Sequence, residues 1–129
     1  MNPTVTVRQG DVLTLDEKFQ SGIGINFTPP PSEYVAPSLI PVIKTNILRL
    51  SRAIGLEGFA RIDAFLNCNN GELKIIEINT LPGMSPATAI FHQSMSETPP
   101  IYPAEFLELA IDEGWRRWKV SSQENEERL

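Results

Sequence analysis

Four residues in one stretch of the chain have the types and the spacing of a cation site. Arg61 and Asp63 stand two positions apart, and so do Glu77 and Asn79. The loop Thr80-Leu81-Pro82-Gly83-Met84-Ser85-Pro86 follows at once. Two carboxylates and an amide carbonyl are hard oxygen donors. Such donors suit Mg²⁺, which takes octahedral oxygen coordination from one or two carboxylates completed by water and substrate phosphates. They do not suit zinc or copper. An arginine beside them would neutralise phosphate charge during phosphoryl transfer.

The elements that must position these groups are legible as a hairpin. Gly58 to Leu66 alternates and is rich in Phe, Ile and Leu, and Glu72 to Asn79 alternates in the same way, so both read as strands. Between them Asn67-Cys68-Asn69-Asn70-Gly71 ends in Asn-Gly, a strong turn signal. Side chains alternate between faces with period two. Phe59, Arg61, Asp63 and Phe65 therefore share one face, and Leu73, Ile75, Glu77 and Asn79 share a face of the second strand. If odd positions pair with odd, the arginine, both acids and the asparagine converge; a slip by one residue separates them. The spacing alone suits an ordinary hairpin with a solvated polar face equally well.

The loop adds to the pattern. Ser85 fits a helix N-cap and Pro86 the first helical position of the apolar run Ala87 to Met95. A helix N-terminus attracts carboxylates and phosphates, and Gly83 allows close backbone approach.

These residues carry a family resemblance. Gly58-Phe59-Ala60-Arg61-Ile62-Asp63-Ala64-Phe65, followed by Ile76-Glu77-Ile78-Asn79-Thr80-Leu81-Pro82-Gly83-Met84-Ser85, resembles the signature of the ATP-grasp carboxylate–amine ligases. Within that superfamily it is most similar to the D-alanine–D-alanine ligases, through the specific pattern RxD…ExNxxPGM. The resemblance extends more loosely from Asp11 to about Trp118. It implies an α+β fold in which an antiparallel β-sheet is flanked by helices. Asp63, Glu77 and Asn79 would bind the two Mg²⁺ (or Mn²⁺) ions that bridge the phosphates of ATP. Arg61 would contact the transferred phosphate and the acyl-phosphate, and Gly83 would offer its N–H to the tetrahedral oxyanion. Thr88 would bind the carboxylate of the second amino acid, although family members often carry Ser-Leu where this chain has Thr88-Ala89. Lys18, in Asp16-Glu17-Lys18-Phe19, resembles the lysine of the family's YEAKY segment that reaches the nucleotide phosphates, with a solvated lysine at a strand end as the alternative. The stretch from about 20 to 36, with Gly22, Gly24 and Pro29-Pro30-Pro31, matches the family's mobile loop and reads as a long loop.

The resemblance also implies partners. The chain corresponds to the C-terminal part of such a ligase, completed by upstream ATP-grasp domains, in a cytoplasmic enzyme that joins small amino acids for peptidoglycan precursors. An acidic ribose ligand of the family would fall at or before Thr4, where Asn2-Pro3 stands, and Met1 reads as a truncation start. The chain alone is then expected to be inactive. Two other readings stay open: a stand-alone interaction domain, with a homodimer among its forms, or an ATP-grasp ligase for another acid and amine.

The remaining sequence frames the site. Val5–Val7 and Val12–Leu15 read as another hairpin around Gln9-Gly10-Asp11. Leu39, Ile43, Ile47, Leu50 and Ile54 recur at helical spacing, with Gly55 at the capping position. A last helix is predicted from Pro103 or Ala104 to Trp118, and residues 121–129 read as a polar, disordered tail after a domain spanning 1–120. The 129 residues, 41% of them hydrophobic, suffice for one core. A net charge of −5 and a single basic pair, Arg116-Arg117, argue against nucleic acid. No apolar run is long enough to span a membrane, and no signal peptide is evident. Cys68 is the only cysteine and His92 the only histidine, which excludes an intrachain disulfide and any cluster of several histidines.

Overall fold

The structure, a computed structural model, describes residues 1–7, 25–86 and 88–126. Seven elements lie in it: β1 (Val5–Val7), β2 (Ile25–Phe27), α1 (Leu39–Ala53), β3 (Arg61–Leu66), β4 (Leu73–Asn79), α2 (Ala89–Met95) and α3 (Pro103–Glu126). Among the described residues the strands form two antiparallel pairs, β1 with β2 and β3 with β4. The architecture is α+β, as the sequence implies. Lys18 and the strand expected at Val12–Leu15 lie outside the described residues.

α1 follows its apolar periodicity. Pro41 sits in the first turn, where the missing N–H removes no intrahelical bond. The helix stops at Gly55, whose φ of 64° is left-handed and cheap only for glycine. The Gly55 N–H donates to Arg52 O at 3.2 Å and the Leu56 N–H to Ser51 O at 2.8 Å, the paired bonds of a Schellman cap.

The core gathers the far end of the molecule. Ile90, Phe91 and Phe106 are buried, with Phe59, Met84 and Ile101 packed around them. Phe106 meets Phe59 and Phe91 edge to face at 5.6 and 5.9 Å, an arrangement favoured by the ring quadrupoles. Phe59 lies two residues before β3 and Met84 immediately follows Gly83. The same core therefore anchors the start of the hairpin and the loop that leaves it.

A polar knot holds the N-terminal residues. Glu97, after α2, accepts from the backbone N–H of Asn2 and from Lys44 Nζ of α1 at 3.3 Å. Asn2 also donates from Nδ2 to Ser96 O at 2.8 Å. Burial opposes the Glu97 charge, but the bonds from Lys44 and Asn2 outweigh it and hold the carboxyl below the usual carboxylate range. A depressed folded pKa stabilises above the unfolded value, and that gain disappears as pH falls through the folded one. Glu97→Gln is therefore expected to lower the urea midpoint at neutral pH and to leave it unchanged in strong acid. An equal deficit at both pH values would show that the charge contributes nothing.

Three expectations are corrected. Ile25–Phe27, inside the span read as a loop, is a strand: Val5 pairs with Phe27, Thr6 with Asn26 and Val7 with Ile25. Its β-branched and aromatic residues find a partner strand that is distant in sequence, which local signals do not reveal. The last helix does not end at Trp118 but runs on to Glu126, into the expected tail. Its residues beyond Trp118, Lys119 to Glu126, hold neither Gly nor Pro to break it. The short helix starts at Ala89, three residues after Pro86, and Thr88 takes the N-cap position with φ −76° and ψ 147°.

Candidate functional site

The hairpin register decides what meets what. Arg61 pairs with Asn79, Ile62 with Ile78 and Asp63 with Glu77. Directly opposed residues of an antiparallel pair point to the same side, so the four polar side chains converge as the odd-with-odd expectation requires. The rest of the expected face does not follow. A β-bulge falls between Asp63 and Ala64, after which Ala64 pairs with Ile75, Phe65 with Lys74 and Leu66 with Leu73. Leu73 and Ile75, predicted to share the face of Glu77, lie on the opposite face with Leu66 and Ala64.

The polar face is tightly cross-linked. Arg61 donates from Nε to Asp63 Oδ1 at 3.0 Å and from Nη2 to Asp63 Oδ2 at 3.2 Å, a bidentate pair. The same Nη2 lies 3.6 Å from Glu77 Oε1. One guanidinium thus serves as counter-ion to both carboxylates. Asn79 Oδ1 accepts from the Leu81 N–H at 3.0 Å, an Asx-turn that starts the loop. The carbonyl keeps a second lone pair. Asp63 and Glu77 remain open to solvent, with 32% and 46% of their side-chain surface exposed, so small ligands can reach them.

The donor set fits Mg²⁺. Among the described residues no three His, Cys, Asp or Glu side chains cluster for a metal. Two carboxylates and one amide oxygen leave half of an octahedral shell to water and substrate oxygens, in keeping with the way Mg²⁺ usually binds. Arg61 already occupies the charge position between the acids that a divalent ion would take.

Gly83 is exposed and its φ lies outside the left-handed region; a Cβ built there would meet only Thr88 Cγ2, at an ordinary 3.8 Å. Neither backbone strain nor crowding within the fold demands glycine at this position. Thr88 stands beside it. Its Oγ1 donates to Ser85 O at 2.8 Å, closing a turn ahead of the helix. Ser85, the expected N-cap, serves instead as acceptor to both the N–H and the hydroxyl of Thr88.

The surroundings of the site contain two features the sequence reading missed. Ile76, the extra residue of the bulge, was detectable as a break in parity: Leu73 and Ile75 are apolar at odd positions, Ile78 at an even one. Met84 is one of two large apolar residues in the loop, and the other, Leu81, is 83% exposed. The basic pair of α3 is engaged by acids, Arg116 with Glu113 at 2.7 Å and Arg117 with Glu57 at 3.2 Å. No helix among the described residues is long and apolar enough to cross a membrane.

Comparison with known proteins bears on this geometry. Residues 4–102 match the family described as D-ala D-ala ligase C-terminus. A D-alanine–D-alanine ligase of Heliobacterium modesticaldum is 32% identical over 95 residues, covering 74% of this chain and 25% of the relative. One of Carboxydothermus hydrogenoformans is 36% identical over 70 residues, covering 50% and 22%. A third, from Neisseria meningitidis serogroup B, is 33% identical over 82 residues, covering 64% and 25%. No solved structure matches at the threshold these relatives meet. The α+β hairpin domain is thus of the ATP-grasp ligase class. More narrowly, the chain belongs to the D-ala D-ala ligase C-terminus family. It spans about a quarter of the length of these curated relatives, and all of α3 lies beyond the family match.

Proposed function

We propose that the chain forms the phosphate-facing wall of an ATP-dependent carboxylate–amine ligase of the D-alanine–D-alanine type. The observation that carries this reading is the register that sets Asp63 opposite Glu77 and Arg61 opposite Asn79. Asp63, Glu77 and Asn79 would hold Mg²⁺, or Mn²⁺, which when bound would neutralise charge on the transferred phosphoryl group. Arg61 leaves its carboxylate partners and binds the oxygens of that group. The carboxylate of the first amino acid would take the γ-phosphoryl group as ADP leaves, and the amine of the second would attack the resulting acyl-phosphate, forming the amide bond and releasing inorganic phosphate. The Gly83 N–H faces the oxyanion that develops in that attack. The Thr88 hydroxyl turns from Ser85 O to the carboxylate of the second amino acid. Lys18 would contact the nucleotide phosphates. Upstream ATP-grasp domains complete the purine and first-substrate pockets. The product would be a dipeptide for peptidoglycan, made in the cytoplasm where ATP is available.

Gly83 provides a test that separates function from fold. Because a Cβ is accommodated there, Gly83→Ala should change stability by less than about 0.5 kcal/mol, while ligation falls through the lost close approach. A large drop in the urea midpoint would mean that the glycine serves the fold.

The decisive experiment measures ADP release by the full-length protein with Mg²⁺ and ATP, offered D- and L-amino acids and D-hydroxy acids. Release stimulated by D-alanine is expected. Stimulation by another pair, which the Thr88-Ala89 departure permits, would keep the ligase chemistry and change its substrates. A folded protein with no release for any pair would favour the interaction-domain reading. The 129-residue chain by itself is expected to turn over no ATP; amino-acid-dependent release from it would contradict the need for upstream domains.

A further inference from the structure

β3 has six residues and β4 seven. The surplus is Ile76, left without a cross-strand partner between the pairs Asp63–Glu77 and Ala64–Ile75. The turn end of this ladder is held by other parts of the molecule. The Asn67 N–H donates to Glu72 O at 2.9 Å and the Gly71 N–H to Asn67 O at 2.8 Å. Gly71 is buried against α1 with φ 76°, and a Cβ there would meet Val42 Cγ1 at 3.1 Å and Leu39 Cδ2 at 3.2 Å. The turn therefore cannot slide to adjust the far end of the ladder.

The fixed turn has a consequence for the carboxylates. Continued without a break from Leu66 opposite Leu73, the ladder would oppose Asp63 to Ile76 and Ile62 to Glu77. The two acids would then lie on opposite faces. With the bulge, Leu66, Leu73, Ala64, Ile75, Ile62 and Ile78 share one face. Leu73 and Ile75 of that face line a shallow cleft with Ile47 and Leu50 of α1. Arg61, Asp63, Glu77 and Asn79 share the other. A bulge inserts one residue and re-aims the side chains beyond it.

We infer that the bulge is the positioning device for the candidate metal site: by taking Ile76 out of the cross-strand count it sets Glu77 and Asn79 on the face of Asp63, while Leu73 and Ile75 stay on the face toward α1. The inference rests on the reading of Asp63 and Glu77 as metal ligands. The Ile76 side chain is 57% exposed, so the residue acts through its place in the count of the chain and not through packing.

The test changes the count in two ways and reads Mn²⁺ affinity of the full-length protein by electron paramagnetic resonance. Inserting one alanine between Asp63 and Ala64 gives the bulge a partner and should turn both acids toward α1. Mn²⁺ affinity is expected to fall at least about tenfold. Deleting Ile76 also removes the bulge but leaves Asp63 opposite Glu77 on the polar face, and affinity should stay close to wild type. Ile76→Ala keeps the count and should bind normally. Wild-type affinity in the insertion variant overturns the inference, and so does a loss on deletion or on Ile76→Ala as large as that on insertion. If the insertion variant does not fold, the deletion and Ile76→Ala still decide between spacer and contact. Glu77→Gln separates the two levels. If it binds Mn²⁺ as wild type does, the site assignment fails. The spacer is then judged by nuclear Overhauser contacts, which should join Asp63 to Glu77 in the wild type and in the deletion; their absence from either would overturn it.

Discussion

Glu77→Gln in the full-length protein is expected to lower ATP-dependent ligation by at least about 10²-fold. The substitution keeps the size and the neutral oxygen of the side chain and removes its charge. Two carboxylates face each other across the ladder, and a divalent cation between them gains from both. At an effective dielectric near 20, two unit charges about 4 Å apart interact by about 4 kcal/mol. The half-exposed surface of Glu77 reduces that figure. A residual loss of about 3 kcal/mol is still about 10² in rate. Mn²⁺ binding followed by electron paramagnetic resonance should weaken in parallel, and excess metal should restore part of the activity. Undiminished ligation in this variant would remove Glu77 from the metal site.

Arg61→Ala is expected to separate two properties that Glu77→Gln loses together. Arg61 is bound through two atoms to Asp63 and lies 3.6 Å from Glu77. In the absence of metal it competes for the same oxygens. Removing it should leave Mn²⁺ affinity unchanged or tighter. Phosphoryl transfer should nevertheless fall by about 10²–10³-fold, the effect of deleting a preorganised donor to developing charge. Single-turnover ADP formation, set beside the metal titration, reads the two quantities separately. A collapse of Mn²⁺ affinity equal to that of Glu77→Gln would mean that Arg61 only holds the acids in place. Arg61→Lys refines the result: it keeps the charge and loses the planar fork, so intermediate activity is expected.

The pairing of a candidate metal face with a glycine that the fold does not require bears on function more than either feature does alone. Exposed ion pairs on a hairpin are common and contribute little to stability, and a glycine in a loop is commonplace. Here the hairpin ends in an Asx-turn at Asn79, the next residues carry Gly83, and Met84 enters the aromatic core. Asn79 therefore connects the candidate metal face to the loop through its own side chain. Phe59, before β3, enters the same core. The two ends of the polar face are thus tied to one rigid cluster, which favours a fixed geometry for catalysis.

Much of this was determined by sequence alone. Alternation with period two marked both strands of the hairpin, Asn-Gly marked its turn, and residues spaced by two fixed which polar groups could meet. The same local rules placed α1 and its cap at Gly55, because 3.6-residue periodicity and a glycine at a left-handed position are written within a few residues of each other. The pattern from Arg61 to Met84 was specific enough to indicate the family. Other features depended on residues far apart in the chain, and only the tertiary structure decided them. Among the described residues β1 pairs with β2, about twenty residues away, and no local signal marks such a pairing. The bulge at Ile76 arises because Gly71 is pinned against Val42 and Leu39 of α1 while the acids must reach the other face, a conflict visible only once α1 is docked. Thr88 became the N-cap in place of Ser85 because the turn from Ser85 to Thr88 is completed by two hydrogen bonds to one carbonyl. The state of Arg61, shared between Asp63 and Glu77, followed from the register. Spacing could bring the charges to one face, but three-dimensional contact alone settled which of them neutralises which.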